Sequence, residues 1–101
     1  MPNHFNIKEI TKDLNIDYHT FLHQSQRLFI EEKLKEIKAE IHEIAGKYNI
    51  RSIAEFDKLY QEGKIEEHTS MEDYKRLDRL EYQRDKLNTY LQQMKSKNGP
   101  Q

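Results

Sequence analysis

Apolar residues recur through the middle of the chain with the rhythm of one helix face. They are separated alternately by four and three positions, at Ile30, Leu34, Ile37, Ile41, Ile44 and Tyr48. This is the heptad spacing of a coiled-coil seam. It predicts a long helix from about Tyr18 to Tyr48. Asp17 is a good N-cap for this helix, and Asn49 suits the position just past its end.

A second seam follows near the C-terminus, at Leu77, Leu80, Leu87, Leu91 and Met94. Arg84 takes the seam position between Leu80 and Leu87. A single polar residue in a seam sets the register of two helices, and an arginine there can also reach a carboxylate on a partner. The pattern predicts a last helix that begins near Thr69 or Ser70 and ends near Met94.

Two shorter elements complete the chain. Residues 50–63 predict a short helix that Ser52 caps with Glu55 three positions later, and Gly63 ends it. Residues 64–69 form a polar link to the last helix. Near the N-terminus, apolar residues at helical spacing predict one or two helical turns, which Asn15 ends; they are Ile7, Ile10 and Leu14.

These elements predict an all-α protein: an antiparallel hairpin of two long helices, coiled-coil-like, with a short helix at its tip. We divide the chain into an N-terminal arm with a short helix (1–17), the hairpin domain (18–96) and a disordered tail (97–101). Two helices that pack only against each other bury one apolar face each. Partly apolar side chains on the flanks of both helices then stay exposed. We therefore expect a homodimer, a larger helical bundle or burial against a partner.

Composition narrows the function. The 101 residues hold 17 Lys and Arg against 18 Asp and Glu, for a formal net charge of −1, so the cationic excess typical of nucleic-acid binding is missing. With no cysteine, disulfides and thiolate chemistry are excluded. No apolar run approaches the roughly 18 residues of a membrane span. We expect a cytoplasmic protein.

Candidate catalytic and metal-binding residues are few. His19 and His23 lie four positions apart on one helix, which supplies only two metal ligands. No serine is framed by glycines as a nucleophile. The carboxylates are typical of solvated helix faces, where we expect i, i+4 ion pairs: Glu31 with Lys35, Glu43 with Lys47 and Glu72 with Arg76. The chain therefore predicts no enzyme, metal or cofactor.

Residues 10–21 (ITKDLNIDYHTF) resemble the I-A-x-x-L-G-[IV]-S-x-x-T-[VI] signature of helix-turn-helix domains. From Leu14 onward they also resemble the last helix of ribbon-helix-helix repressors. The resemblance implies a dimeric DNA-binding regulator that uses residues 9–27, with contacts from Tyr18, His19, His23 and Arg27. Arg27 is the one firm positive charge among these four residues, and phosphate contacts need more cations.

Residues 28–94 resemble a group of small helical prokaryotic proteins that act as antitoxins in two-gene toxin–antitoxin pairs. Three segments carry the resemblance: 48–56 (YNIRSIAEF), 63–68 (GKIEEH) and 71–82 (MEDYKRLDRLEY). It implies a slender helical protein that wraps and silences a partner protein, such as a toxin encoded beside it. A structural coiled-coil adaptor or a phage-type inhibitor fits the same pattern.

The partner-binding residues that we expect cluster around the tip and along the last helix. Aromatic and apolar side chains there are favourable anchors for another protein if they are left partly exposed. They are Phe56, Leu59, Tyr60, Tyr74, Arg84, Leu87 and Leu91.

Overall fold

A computed structural model describes residues 6–97, with side-chain surroundings up to Lys95. It contains four helices in chain order: α1 (Ile7–Asp13), α2 (Tyr18–Tyr48), α3 (Ile53–Gln61) and α4 (Glu67–Lys97). No strand occurs within the described range, so the all-α prediction is confirmed. Residues 1–5 of the predicted arm and residues 98–101 of the predicted tail lie outside the described residues. Lys97, which we assigned to the tail, closes α4.

The first two helices begin and end at local signals. The side chain of Asn6 caps α1 by accepting from the backbone N–H of Lys8. Asn15 then adopts a left-handed backbone, with φ +58°. The carboxylate of Asp17 accepts from the N–H of Thr20 at 3.0 Å and starts α2. The predicted bounds of α2 are confirmed. They could be predicted because each cap depends only on residues a few positions away.

The turn from α2 to α3 is also built locally. Asn49 takes a left-handed conformation (φ 55°) after Tyr48 and ends α2. The hydroxyl of Ser52 accepts from the N–H of Glu55 at 3.3 Å, as a capping residue should. Glu55 reaches back to the N–H of Arg51, one residue before the cap. The predicted short helix is confirmed.

The predicted start of the last helix is wrong. Thr69 and Ser70 are not caps: α4 begins at Glu67, and both hydroxyls donate to the carbonyl oxygen of Glu66 from inside its first turn. Ser70 is 1% exposed and also bonds Tyr60 of α3. A tertiary contact thus occupies the hydroxyl that sequence reasoning assigned to capping. The helix also extends past Met94 to Lys97.

The core lies between α2 and α4, where the parts of the two seams nearest α3 are buried. Two ion pairs join the helices across the core, Glu40 with Arg76 and Lys47 with Asp73. From the first pair to the second, the residue number rises on α2 and falls on α4. α3 covers one end of the pair, with Phe56 fully buried. The buried residues of the core are Ile37, Ile41, Ile44, Ala45, Ile50, Phe56, Leu77 and Leu80.

The predicted i, i+4 ion pairs do not form. Lys47 bonds Asp73 of α4 instead of Glu43, Arg76 bonds Glu40 of α2 instead of Glu72, and Lys35 bonds Glu32 instead of Glu31. Exposed pairs within one helix stabilise it by only about 0.3–0.5 kcal/mol. Such a small preference is outweighed by a carboxylate of the neighbouring helix for Lys47 and Arg76, and by another carboxylate of the same helix for Lys35.

The molecule is a single layer of helices. Its principal dimensions are 61 × 45 × 15 Å, so it is flat and elongated. A layer this thin encloses little core beyond the buried residues around Phe56 and Leu77. The accessible surface of the chain is 8313 Å², against about 6,100 Å² for an ordinary monomer of this mass.

Candidate partner-binding surface

Four aromatic rings meet where α3 packs on the two long helices. Phe56 is at the centre, and its ring centroid lies 4.7 Å from Tyr48, 5.4 Å from Tyr60 and 5.3 Å from Tyr74. Tilted and edge-on pairs at these distances stabilise a fold beyond the area they bury. We call these four residues the aromatic cluster. It ties α2, α3 and α4 together.

Each tyrosine hydroxyl of the aromatic cluster has a partner. Tyr48 donates to Oδ2 of Asp73 at 2.5 Å, and Tyr74 donates to Oδ1 of Asp57 at 2.5 Å. Tyr60 and Ser70 share a 2.6 Å hydrogen bond. Since the hydroxyl of Ser70 already donates to Glu66, that of Tyr60 is the donor.

These contacts shift several pKa values. Burial and the hydrogen bond to Asp73 raise the pKa of Tyr48 to about 12. The hydrogen bond to Asp57, together with burial, raises the pKa of Tyr74 to about 12. In the opposite direction, the hydroxyl of Tyr48 and then the ammonium of Lys47 lower the pKa of Asp73 below its usual value. Both tyrosines are therefore hydrogen-bond donors at neutral pH.

A second carboxylate of α4 joins α3 to the long helices. Oε2 of Glu81 accepts from the backbone N–H of Ile53 at 2.8 Å. Ile53 is the first residue of α3, and its N–H has no partner within that helix. A negative charge at a helix N-terminus is favourable. The α3 end of the molecule is thus closed by its own contacts.

The structure changes our interpretation of the predicted partner-binding residues near α3. It brings Phe56, Leu59, Tyr60 and Tyr74 together, as expected, but Phe56 is 0% exposed. Its ring cannot touch a partner because three tyrosines surround it, so Phe56 as a contact residue was wrong. Leu59, Tyr60 and Tyr74 are partly buried against the core. Their main contacts are internal.

The other three predicted residues lie farther along α4. Leu87 and Leu91 are partly buried in the seam. Arg84 is in the seam as well, with its side chain 30% exposed, and its Nε donates to Asp85 at 3.1 Å. The neighbouring carboxylate thus holds the guanidinium at the edge of the layer. Arg84 remains available as a register residue or as a contact to a partner.

Large apolar side chains are exposed elsewhere, mostly toward the end of the layer opposite α3. Leu28 and Phe29 are adjacent on α2, and they are 63% and 69% exposed. Neither belongs to the heptad seam, which is why the heptad spacing did not reveal them; the signal was two large apolar residues beside Ile30. Within residues 6–95, the other exposed residues of this kind are Ile7, Leu14, Ile16, Tyr82 and Tyr90.

The residues of the DNA-binding alternative share one concavity. His19, His23 and Arg27 line it together with Thr20 and Gln24, and it encloses about 340 Å³. It continues the face of α2 on which Ile30 lies. Tyr18 is not part of the lining, since its ring packs edge-on against His19 and under the ammonium of Lys8.

The charges around that concavity do not match a phosphate backbone. The guanidinium of Arg27 pairs with Glu31 at 3.2 Å. Residues 9–27 contain two cationic side chains and three carboxylates, which are Lys12, Arg27, Glu9, Asp13 and Asp17. Hydrogen bonds from Thr20 hold the pKa of Asp17 below its usual value, so this carboxylate is firmly charged. Repulsion from the carboxylates would oppose DNA at this site.

Another concavity, of about 670 Å³, lies between the end of α2 and the start of α3. Its floor is buried and apolar, and its rim carries the exposed side chains of Lys38, His42, Arg51 and Glu55. No polar side chain is buried inside it, so it lacks the fixed polar groups of a small-molecule site. Among the residues described, no three potential ligands cluster as a metal site.

The fold and the surface together define an all-α protein. Polar groups at its α3 end are hydrogen-bonded within the chain, and its opposite end exposes apolar side chains. Over residues 1–99 the chain matches the model of the Uncharacterized protein MJ0235 family, and it belongs to that family. Neither the curated proteins nor the solved structures contain a significant match. Within residues 6–97, no helix is long and apolar enough to cross a membrane.

Proposed function

We propose that α2 and α4 form an antiparallel, coiled-coil-like hairpin with α3 at its tip. The pairs Glu40–Arg76 and Lys47–Asp73 support this arrangement, since residue numbers rise on one helix as they fall on the other. The alternation of four and three positions in both seams supports knobs-into-holes packing. The residue numbers sum to 116 for Glu40 with Arg76 and to 120 for Lys47 with Asp73.

The function that we propose is the non-enzymatic binding and sequestration of a partner protein in the cytoplasm. One observation supports it. The tyrosine hydroxyls of the aromatic cluster are all hydrogen-bonded within the chain, whereas large apolar side chains are exposed toward the end of the molecule opposite α3, which we call the open end. Exposed apolar patches with a polar rim are typical of protein interfaces. The name open-end surface is used here for four exposed large apolar residues of the N-terminal third, leaving out Phe29: Ile7, Leu14, Ile16 and Leu28.

Binding would occur by occlusion. The apolar side chains of the open-end surface would be buried against the partner, and the polar residues around Arg27 would fix the orientation of the complex. Leu28 and Arg27 share a second small concavity with Gln24 and Glu31, which a partner side chain could fill. A thin layer suits this role because it presents much surface for its mass.

The partner class that we propose is a toxin encoded by an adjacent gene. This step depends on the resemblance of residues 28–94 to antitoxin-like proteins. It is tested by expressing the adjacent open reading frame alone and together with this protein. The antitoxin proposal expects arrested growth in the first case and normal growth in the second. Normal growth in both cases would contradict it.

The binding surface is tested by affinity capture with tagged variants. Leu14→Asp and Leu28→Asp place charges on exposed positions, so the fold should persist while partner capture falls at least tenfold. Ala39→Asp is the matched control, since Ala39 is exposed on the same face of α2 as Leu28. Unchanged capture by both leucine variants would sink the assignment of the open-end surface.

Two other results would favour the alternatives. Recovery of DNA without a protein partner would favour the dimeric DNA-binding regulator that uses residues 9–27. Recovery of only the protein itself would favour a structural coiled-coil adaptor.

A further inference from the structure

An exposed aromatic pair and an apolar groove lie on one flank of the hairpin. The groove encloses about 240 Å³ and is lined by Lys33, Ile37, Tyr82, Gln83, Lys86 and Leu87. Phe29 is one turn before Lys33 on the same side of α2, and Tyr90 is one turn after Leu87 on α4. Phe29 and Tyr90 are 69% and 45% exposed. We call the pair and the groove together the flank surface.

Continued along the hairpin, the spacing of the pairs across the seam puts Phe29 and Tyr90 at the same level. Their numbers sum to 119, close to the value for residues that pair across the seam, such as Lys47 with Asp73. The centre of the groove on α2 is near residue 35, about six residues or roughly 9 Å along the axis from Phe29. The projecting rings of Phe29 and Tyr90 therefore lie beside the groove.

We propose that a second copy of this chain covers the flank surface and forms a twofold-symmetric dimer. A twofold axis across the helices near residue 32 places Phe29 and Tyr90 of each copy over the groove of the other. An isologous interface requires this self-complementarity, in which one surface carries both the projection and the recess that receives it. The result is a four-helix layer with the apolar flanks inside.

The accessible area supports a partner of this size. The chain exposes 8313 Å², which is about 2,200 Å² more than a monomer of its mass ordinarily does. A standard interface buries about 800 Å² on each partner, and obligate dimers bury more. The excess is larger than the area that one such interface covers on each partner.

The rim of the groove also suits a neutral aromatic occupant. Lys33 already pairs with Glu36 at 3.5 Å, and the ammonium of Lys86 lies 5.7 Å above the ring of Tyr82. The aliphatic stems of both lysines can cover apolar surface while their charged ends stay in water. With a net charge of −1, two copies of the chain repel each other only weakly.

The dimer is tested by sedimentation equilibrium and light scattering on the full chain over a range of concentrations. The expected mass is twice 12.3 kDa. Phe29→Asp should raise the dimer dissociation constant by about 30-fold or more, the effect of losing a central anchor. Leu28→Asp is the matched control: it is 63% exposed on the adjacent position of α2, about 100° around the helix, and should leave the dimer intact. Circular dichroism checks that both variants fold.

A disulfide test locates the contact. Since the chain has no cysteine, Phe29→Cys and Gln83→Cys each introduce a single thiol. A mixture of the two variants should form a mixed disulfide dimer faster than either variant forms its own.

Three outcomes would overturn the proposal. They are a monomeric wild-type chain at high concentration, a dimer that Phe29→Asp leaves unchanged, and a dimer that both charge variants disrupt equally. Loss of partner capture in Leu28→Asp with an intact dimer would leave this inference standing. The two proposals can thus fail independently.

Discussion

The hydroxyl of Tyr48 donates a 2.5 Å hydrogen bond to Oδ2 of Asp73, and the ammonium of Lys47 approaches the same oxygen at 3.2 Å. Two consecutive residues at the end of α2 thus hold one partly buried carboxylate in the first turns of α4. A hydrogen bond to a charged acceptor is stronger than a neutral one. The contact fixes the long helices against each other beside α3.

Tyr48→Phe should destabilise the fold by about 1.5–3 kcal/mol, because Asp73 loses its shortest donor while staying partly buried. Urea unfolding followed by circular dichroism measures the change. Tyr18→Phe is the control: the ring of Tyr18 packs against His19, its hydroxyl forms no hydrogen bond within the described residues, and its variant should differ from wild type by less than about 0.5 kcal/mol. Equal stability of the two variants would show that the bond to Asp73 contributes nothing.

Stability should fall as pH rises from about 10 to about 12. The pKa values of Tyr48 and Tyr74 are about 12 in the folded chain, against 10.0 for an ordinary tyrosine. The folded state therefore holds these protons more tightly than the unfolded state. The resulting stability is fully present below pH 10 and lost as pH approaches 12. Unfolding in urea at pH 9, 10, 11 and 12 measures the loss.

The matched variant for the alkaline experiment replaces Tyr48 and Tyr74 together with phenylalanine. It removes the two titrating hydroxyls but keeps every lysine, so the loss of lysine charge is common to both proteins. The decline above pH 10 should be smaller in the variant. An identical decline would assign the effect to the lysines alone.

Ser70→Ala should destabilise the chain by about 1–3 kcal/mol, since it leaves the hydroxyl of Tyr60 without its acceptor. Thr69→Ala provides the comparison. Both hydroxyls donate to the carbonyl of Glu66, but Thr69 is exposed and makes no contact with Tyr60. The thermal midpoint of Thr69→Ala should stay near that of wild type. If the two midpoints fell together, the bond to Glu66 would account for the effect.

The two interior glycines should respond to alanine in opposite directions. Gly46 lies inside α2, where an added Cβ would meet no neighbouring atom within 4 Å, so Gly46→Ala should stabilise the helix by about 0.5–1 kcal/mol. Gly63 has φ +66°, which an alanine adopts only with strain, so Gly63→Ala should destabilise by about 1 kcal/mol. Chemical denaturation of both variants measures the two signs, and a shared sign would refute the backbone argument.

Much of the fold could be predicted from the sequence because its signals are local. Asp17 bonds a residue three positions away, Asn49 ends α2 by its own backbone conformation, and Ser52 caps α3. The candidate surfaces were harder to predict. The sequence around Phe56 does not show that three distant tyrosine rings enclose it, and Phe29 gives no periodic signal because it lies outside the heptad seam.

The sequence by itself determined the helices, the caps of α2 and α3 and the two seams, since each depends on residues within one or two helical turns. The tertiary structure decided which polar groups meet. Lys47 could pair with Glu43 on its own helix, yet it bonds Asp73, 26 positions away, because α4 brings that carboxylate alongside. Serine is a common helix cap, but the side chain of Ser70 is buried and hydrogen-bonded to Tyr60. Contacts between distant residues depend on how whole helices pack, and no short stretch of sequence contains that information.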